Sequence, residues 1–421
     1  MPSAAMSTIL ITERILLRNL SKRLLHICAK VFFVFSGACS GTVRRSDSFL
    51  QITRCCRIIS PCKFSLGVVY TERVLVGMSG GVDSASAALI LRQQGYEPVG
   101  ATLVLHHYGK CGENVADAKR TAGHIGIDFC EVHGEELFSR EVIAAFAQSY
   151  ARGETPNPCV LCNPRVKFAL LCKRADEIGA KYVATGHYAR VAADGQDGRF
   201  YLRRAADESK DQTYALWALP QSVLSRLILP LGERFKCDTR EFAHEHALVP
   251  RNLAESQDIC FIPDGDYAAF LTREMGIDSP EGDFVTAAGE VLGRHRGIIH
   301  YTIGQRRGLG ISAEHRLFVV RKDAVNNRVV LGSPQELMSD RMRVVGINWM
   351  AINPPESEIT TSVRARYHQS AQQARIIPIS EHECVVEFEN PQRALTPGQS
   401  AVFYDGDAML GGGFIAGEGL G

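Results

Sequence analysis

The pattern of hydrophobic and polar positions in this 421-residue chain changes near residue 72. Upstream there is no sustained period of two or of 3.6, only a short apolar run at 31–35 that follows Arg14, Arg18, Lys22, Arg23 and Lys30. Downstream, 73–78 is a β-branched apolar run, a buried-strand signal, which ends in two glycines and passes into a helical stretch over 85–94. Further strands are expected at 99–105, 129–132 and 182–185, with helices over 116–125, 140–150 and 165–178 between them. Alternation of this kind predicts parallel βαβ units wound into a doubly wound α/β sheet, with a ligand at the carboxyl ends of the strands. Past about residue 220 the alternation stops. Helices at 220–226 and 239–248, then short strands and glycine turns to 309, suit a small central α+β domain. Short strands at 317–321, 328–331, 342–348, 362–367, 383–388 and 400–404 predict an antiparallel β-barrel. The expected division is a leader, 1–71; an α/β domain, 72–220; a central domain, 221–312; and a barrel, 313–421.

Composition is that of a globular protein, 45% hydrophobic and 22% charged, which excludes a collagenous, disordered or membrane-embedded class for the bulk of the chain. The formal net charge of +1 hides an asymmetry: residues 1–72 carry 10 Lys+Arg against 3 Asp+Glu, so the body is acidic on average. A polyanionic partner must therefore be met by local basic patches. The leader superficially resembles a signal peptide, with Ser36-Gly37-Ala38-Cys39 behind its apolar run, but that run is far shorter than the roughly 20 residues of a membrane span. It reads as a disordered extension or a mis-assigned start rather than a targeting segment, and no membrane association is expected. Five of the 13 cysteines lie there. Most of the rest stand alone in helical or strand contexts, as small buried hydrophobes of a reducing compartment do, which points to the cytoplasm.

The first strand runs into Gly77-Met78-Ser79-Gly80-Gly81-Val82-Asp83-Ser84. Strand, glycine turn and helix together aim backbone N–H groups and a helix dipole at an anion. Ser79 and Ser84 add hydroxyl donors, and Asp83 is placed to hold a Mg²⁺ bridging phosphate oxygens. No Gly-Lys-Ser/Thr follows, so the loop is not of Walker type. Thr185-Gly186-His187-Tyr188 also follows a strand and should face the same crevice.

The loop resembles that of the pyrophosphate-loop ATPases, which activate a carbonyl by adenylation. Three more stretches, in order, narrow the resemblance: Thr155-Pro156-Asn157-Pro158-Cys159-Val160-Leu161-Cys162-Asn163, Ser256-Gln257-Asp258-Ile259-Cys260-Phe261-Ile262, and His300-Tyr301-Thr302-Ile303-Gly304-Gln305-Arg306-Arg307-Gly308-Leu309-Gly310. Over about 73–417 the chain is similar to the tRNA-specific 2-thiouridylases. The resemblance implies an adenine nucleotide alpha hydrolase-like fold and ATP-dependent 2-thiolation of the wobble uridine, position 34, of tRNA. ATP adenylates the C2 oxygen, and sulfur then replaces it. Cys260 would carry a persulfide loaded by a sulfur-donor protein, and Cys162 would be the second catalytic thiol, ending in a transient disulfide with Cys260. Arg165, Lys167 and the helix start should lower the pKa of Cys162, and Asp258 should oppose ionisation of Cys260.

The same resemblance places ATP on Gly77–Ser84, Leu103 and Gly186, and tRNA on Asn157, Pro158, Cys159, His187, Lys210, Asp211, Gln212, Arg366, Tyr367 and Gln399. Arg364, Arg366 and His368 would share one strand face as a basic patch, with Tyr367 available for stacking. Some members carry an acid where this chain has Cys159. No metal besides Mg²⁺ is expected. Other readings of the thiols are a zinc site at Cys159-x-x-Cys162 or an iron–sulfur cluster on Cys159, Cys162 and Cys260. The alternative function is a pyrophosphate-loop ligase or amidotransferase, which needs no thiol pair; an intact adenylation loop argues against a non-catalytic tRNA-binding protein.

Overall fold

The computed structural model describes residues 72–108, 111–250, 259–262 and 264–417; the leader and Ser256, Gln257 and Asp258 lie outside them. The apolar runs build the parallel sheet that their alternation predicts, because strands covered by helices on both faces must be apolar on both. β1 (Arg73–Gly77) lies in the middle, with β2 (Glu97–Val104) and β3 (Asp128–His133) on one side and β4 (Tyr182–Thr185) on the other. Val74 and Val76 pack under α1 (Val82–Gln93), while Leu75 faces the opposite core. α2 (Cys111–Ile125) follows β2. α3 is continuous from Glu135–Phe138 through a π-helical turn, Ser139–Ile143, into Ala144–Ala151.

α4 has the same composite form, Pro158–Cys162, a π-helical turn at Asn163–Lys167, then Phe168–Glu177. Here the cause is visible: Pro164 has no N–H for the carbonyl one turn back, and the helical ladder slips at that point. Leu171 on this helix joins Leu75 and Val183 in the second core.

The parallel sheet does not end at 220. A hairpin of β5 (Arg190–Ala192) and β6 (Tyr201–Arg203) leaves it, but β7 (Leu227–Ile228) returns beside β4, and α5 (Lys236–Glu245) packs on α1. A two-residue strand carries no periodic signal. The strands expected at 317–321 and 328–331 belong to the central domain rather than the barrel. After α6 (Tyr267–Met275) come β8 (Gly282–Val285) and β9 (Val291–His295), and β10 (Phe318–Asp323) and β11 (Arg328–Gly332) complete a sheet of order β10-β11-β8-β9. Val319, Val329 and Leu331 pack there on Phe284 and Ile299, a partnership that local alternation cannot specify.

The barrel comprises β12 (Met338–Trp349), β13 (Ile359–Arg364), β14 (Gln372–Ser380), β15 (Glu383–Arg393), β16 (Ser400–Asp405) and β17 (Ala408–Ile415). It runs in the order β12-β15-β14-β13-β16-β17, and antiparallel pairing of β12 with β17 closes it. β17 holds three consecutive glycines for a packing reason: a Cβ on Gly412 would lie 2.8 Å from Cγ of Trp217, a fully buried ring from the α/β domain. Trp217 also donates through Nε1 to Ser400 Oγ at 2.9 Å. No helix among the described residues is long and apolar enough to cross a membrane.

Lys322 on β10 ties the central domain to the α/β domain, its ammonium donating to the carbonyls of Tyr301 at 3.0 Å and Glu154 at 3.3 Å. Burial pushes this lysine down from 10.5 to about 8. Between those values the unfolded chain binds the extra proton, so stability rises with pH across the window. Denaturant titrations from pH 7.5 to 10 are expected to show that rise in the wild type and a shallower one in Lys322→Met; equal slopes would contradict the burial of this charge.

Candidate active site

Strand order reverses between β1 and β4, and a doubly wound sheet opens its ligand crevice at that switch point. The loop after β1 and the turn after β4 both meet there. Within the loop, Gly80 takes φ +78°, Ser79 N–H donates to Ser84 Oγ at 3.1 Å, and Ser84 Oγ donates to the Gly81 carbonyl at 3.1 Å. These bonds curl the loop at the positive end of α1. Gly186 presses on it from β4, since a Cβ there would sit 2.7 Å from Asp83 C and 2.8 Å from Ser84 N. The contact is backbone on backbone, so only glycine fits.

Asp83 is not disposed as the magnesium ligand its motif suggests. Lys236 Nζ, on α5, lies 2.7 Å from both carboxylate oxygens, and Tyr188 OH donates to Oδ1 at 3.0 Å. With both oxygens committed, the carboxylate fits an anchor for the loop and does not fit a metal site. Neither partner was assigned a role by the sequence. Lys236 lies 153 residues away in no motif, and only the fold brings it in.

A cavity of about 450 Å³ opens from the loop. One wall is Gly77, Met78, Ser79, Asp83, Ser84, Leu103 and Gly186; another is Pro158, Cys159, Cys162 and Lys167 from α4; Cys260 and Phe261 complete it with His106, Tyr108 and Phe138. Three thiols from two distant segments thus share a space with the phosphate loop. Cys162 is only 8% exposed, whereas Cys159 and Cys260 keep exposed edges. The expectation of an activated Cys162 is corrected: burial raises its pKa, outweighing the opposing effect of Lys167. Arg165 turns away to Glu141, 3.6 Å distant. Enclosure in the cavity, then the neighbouring thiols, pushes Cys260 up to about 12. Among the described residues no three His, Cys, Asp or Glu side chains come together as a metal site.

The remaining expected contacts divide into two groups. His187 and Gln212 line the cavity. The His187 ring, 6.1 Å from Phe168 and 2.7 Å from Thr185 Oγ1, is held neutral by burial and then by the Lys167 charge. Gln212 Oε1 accepts from Tyr188 N–H at 2.9 Å. Gly80, Gly81 and Val82 are not part of the cavity lining, and Asn157 caps α4 by accepting from Cys159 N–H at 3.1 Å.

The second group fastens domains. Lys210 ends a short turn, Glu208–Lys210, and the next residue, Asp211, is buried, taking Thr213 Oγ1 at 2.7 Å and Arg364 at 3.3 Å. Arg364 also donates to the Tyr367 carbonyl and lies 5.5 Å over that ring. Arg366 donates to Ala394 O at 2.8 Å and Thr396 Oγ1 at 2.5 Å, and Gln399 Nε2 to Thr155 O at 2.6 Å. The basic strand face expected from Arg364, Arg366 and His368 does not form, because β13 ends at Arg364 and both arginines turn inward to carbonyl and carboxylate partners.

Family models match in three successive stretches: a tRNA methyl transferase HUP domain over 72–264, a tRNA methyl transferase PRC-barrel domain over 268–333, and an aminomethyltransferase beta-barrel domain over 339–415. The chain is 42% identical over 354 residues to a tRNA-specific 2-thiouridylase MnmA of Clostridium acetobutylicum, covering 82% of this chain and 99% of that protein. It belongs to the tRNA-specific 2-thiouridylase family. A second relative, tRNA-specific 2-thiouridylase MnmA 2 of Caldanaerobacter subterraneus subsp. tengcongensis, is 45% identical over 355 residues, 82% of this chain and 98% of its own. Among solved structures, the U34-tRNA thiolase NcsA from Methanococcus maripaludis with its [4Fe-4S] cluster aligns with TM-score 0.32 and 16% identity, covering 50% of this chain and 69% of that one, a likeness from which nothing about the site follows.

Because Lys236 and Asp83 are 8% and 33% exposed, breaking their pair should cost less than the fully buried limit, about 1–3 kcal/mol for Lys236→Met or Asp83→Asn. Thermal unfolding of both variants and of the double variant should give a combined loss well short of additive. Simple additivity would mean that the two side chains do not act as a pair.

Proposed function

We propose that this protein performs ATP-dependent 2-thiolation of uridine 34 in the tRNA anticodon. The observation that carries the reading is the common cavity: a phosphate loop and thiols from two distant segments open onto the same 450 Å³. A ligase or amidotransferase of the same superfamily needs no such thiols. ATP lies along Gly77–Ser84, with Leu103 and Gly186 beside it, and magnesium accompanies the nucleotide. Transfer of AMP to the C2 oxygen turns that oxygen into a leaving group, and Cys260 supplies the incoming sulfur.

The raised thiol pKa values give this sulfur route a physical reason. A cavity that keeps ordinary thiols protonated makes them poor nucleophiles, whereas a persulfide is more acidic than its parent thiol and ionises where the thiol does not. The exposed edge of Cys260 suits loading by a sulfur-donor protein, and buried Cys162 suits release of the sulfur after transfer. The terminal persulfide sulfur attacks C2 and expels AMP. Cys162 then attacks the Cys260 sulfur, freeing 2-thiouridine and leaving a Cys162–Cys260 disulfide.

Asn157, Pro158, Cys159 and His187 meet the target base, and the turn Lys210, Asp211 and Gln212 meets the tRNA. Arg366, Tyr367 and Gln399 act on tRNA through the loops they hold in place, and the cytoplasm is the compartment that supplies ATP and tRNA together. Purified Cys260→Ser, given ATP, tRNA and a persulfide donor, is expected to release pyrophosphate in a tRNA-dependent manner while 2-thiouridine falls to background, as read by nucleoside mass analysis. Thiolation at the wild-type level would overturn the assignment.

A further inference from the structure

The reaction above leaves an oxidised thiol pair inside the protein, and two of the three cavity thiols account for it. Cys159, the third, is three residues from Cys162 on the first turn of α4, so the two side chains lie on one helical face. Residues so spaced have Cβ atoms about 5–6 Å apart, and a disulfide needs about 3.5–4.5 Å, a closure that one helical turn can accommodate. Both sulfurs face the cavity that also holds Cys260, and the backbone of the turn is fixed by the Asn157 cap. Cys162 is buried, while Cys159 and Cys260 both keep exposed edges. A disulfide of Cys162 with Cys260 occupies the cysteine that must be reloaded, whereas one of Cys162 with Cys159 leaves it free.

We infer that Cys159 is a third working thiol, which takes Cys162 over from Cys260 after each sulfur transfer and so frees Cys260 for reloading. The inference rests on the persulfide reading. Cys159 thiolate attacks the Cys162 sulfur of the Cys162–Cys260 disulfide; the Cys159–Cys162 bond forms, the Cys162–Cys260 bond breaks, and Cys260 leaves as a thiolate. No electrons are gained or lost in this exchange. An external dithiol then delivers two electrons and two protons to the Cys159–Cys162 disulfide and becomes a disulfide itself. Cys260 is free to be reloaded before that reduction, so sulfur loading and reduction use different cysteines.

The test follows one turnover of the wild-type chain. Protein loaded with persulfide and freed of excess donor receives ATP and tRNA without reductant, is quenched with acid, alkylated and digested with trypsin. The segment 153–165 contains both Cys159 and Cys162. After turnover it should be lighter by two hydrogens and unalkylated, with Cys260 alkylated; a parallel sample without ATP should keep Cys159 and Cys162 as alkylated thiols and Cys260 as its persulfide. In Cys159→Ser the bond should remain between Cys162 and Cys260. A Cys162–Cys260 cross-link with Cys159 alkylated in the wild type would overturn the inference and leave the persulfide reading intact. Equal oxidation of 153–165 without ATP would also overturn it, as an oxidation unrelated to turnover. Thiolated tRNA formed with every cysteine still reduced would overturn the persulfide reading, and this inference with it.

Discussion

Asp83 is pinned by Lys236 at both oxygens and by Tyr188 at one, and the path of the phosphate loop follows from where that carboxylate is held. The pair joins α1 to α5 at the edge of the cavity, where Asp83 shares the lining with Ser79 and Ser84. A carboxylate aimed at the nucleotide would repel the phosphates unless a cation stood between them. Paired with an ammonium, it anchors the loop without that penalty. Gly186 completes the arrangement from β4, and the two strand ends at the switch point become one rigid seat.

Much of this was legible in the chain, and the limits have physical causes. The parallel sheet could be read because strands buried on both faces are nearly continuous apolar runs, as 73–78 and 182–185 are. The loop could be read because its glycines and hydroxyls are adjacent in sequence. Lys236 could not, since its partner is 153 residues away and a lysine opening a helix carries no signal of burial. β7 was too short to show a period. β10 and β11 were read as strands correctly but placed in the wrong sheet, because alternation reports that one face is buried and not what covers it. The pKa of Cys162 was misjudged for the same reason: nearby Lys167 is visible in sequence, while the enclosure that outweighs it is a property of the cavity.

The residues matched to RNA contact show how positioning and binding divide. Gln399 and the pair of Asp211 with Arg364 connect the barrel to the loops around the cavity, Gln399 reaching the segment that leads into the thiol-bearing helix, and Arg366 reaches the Ile303 carbonyl of the central domain. Trp217 and Gly412 form the apolar part of that join. The barrel is thereby linked to the turn that carries Cys159 and Cys162. The acidic average of the body and the inward turn of both arginines also mean that charge alone does not create the RNA surface; shape and the loops at the cavity mouth must contribute.

The central claim is that the uridine oxygen leaves as part of AMP in the same cavity where sulfur arrives. The most direct measurement uses tRNA carrying oxygen-18 at C2 of the target uridine, incubated with the protein, ATP and a persulfide donor, followed by mass analysis of the nucleotide products. The account predicts oxygen-18 in the phosphate of AMP, in proportion to the 2-thiouridine formed, and none in pyrophosphate. Oxygen-18 released to water, or thiolation with unlabelled AMP, would contradict it.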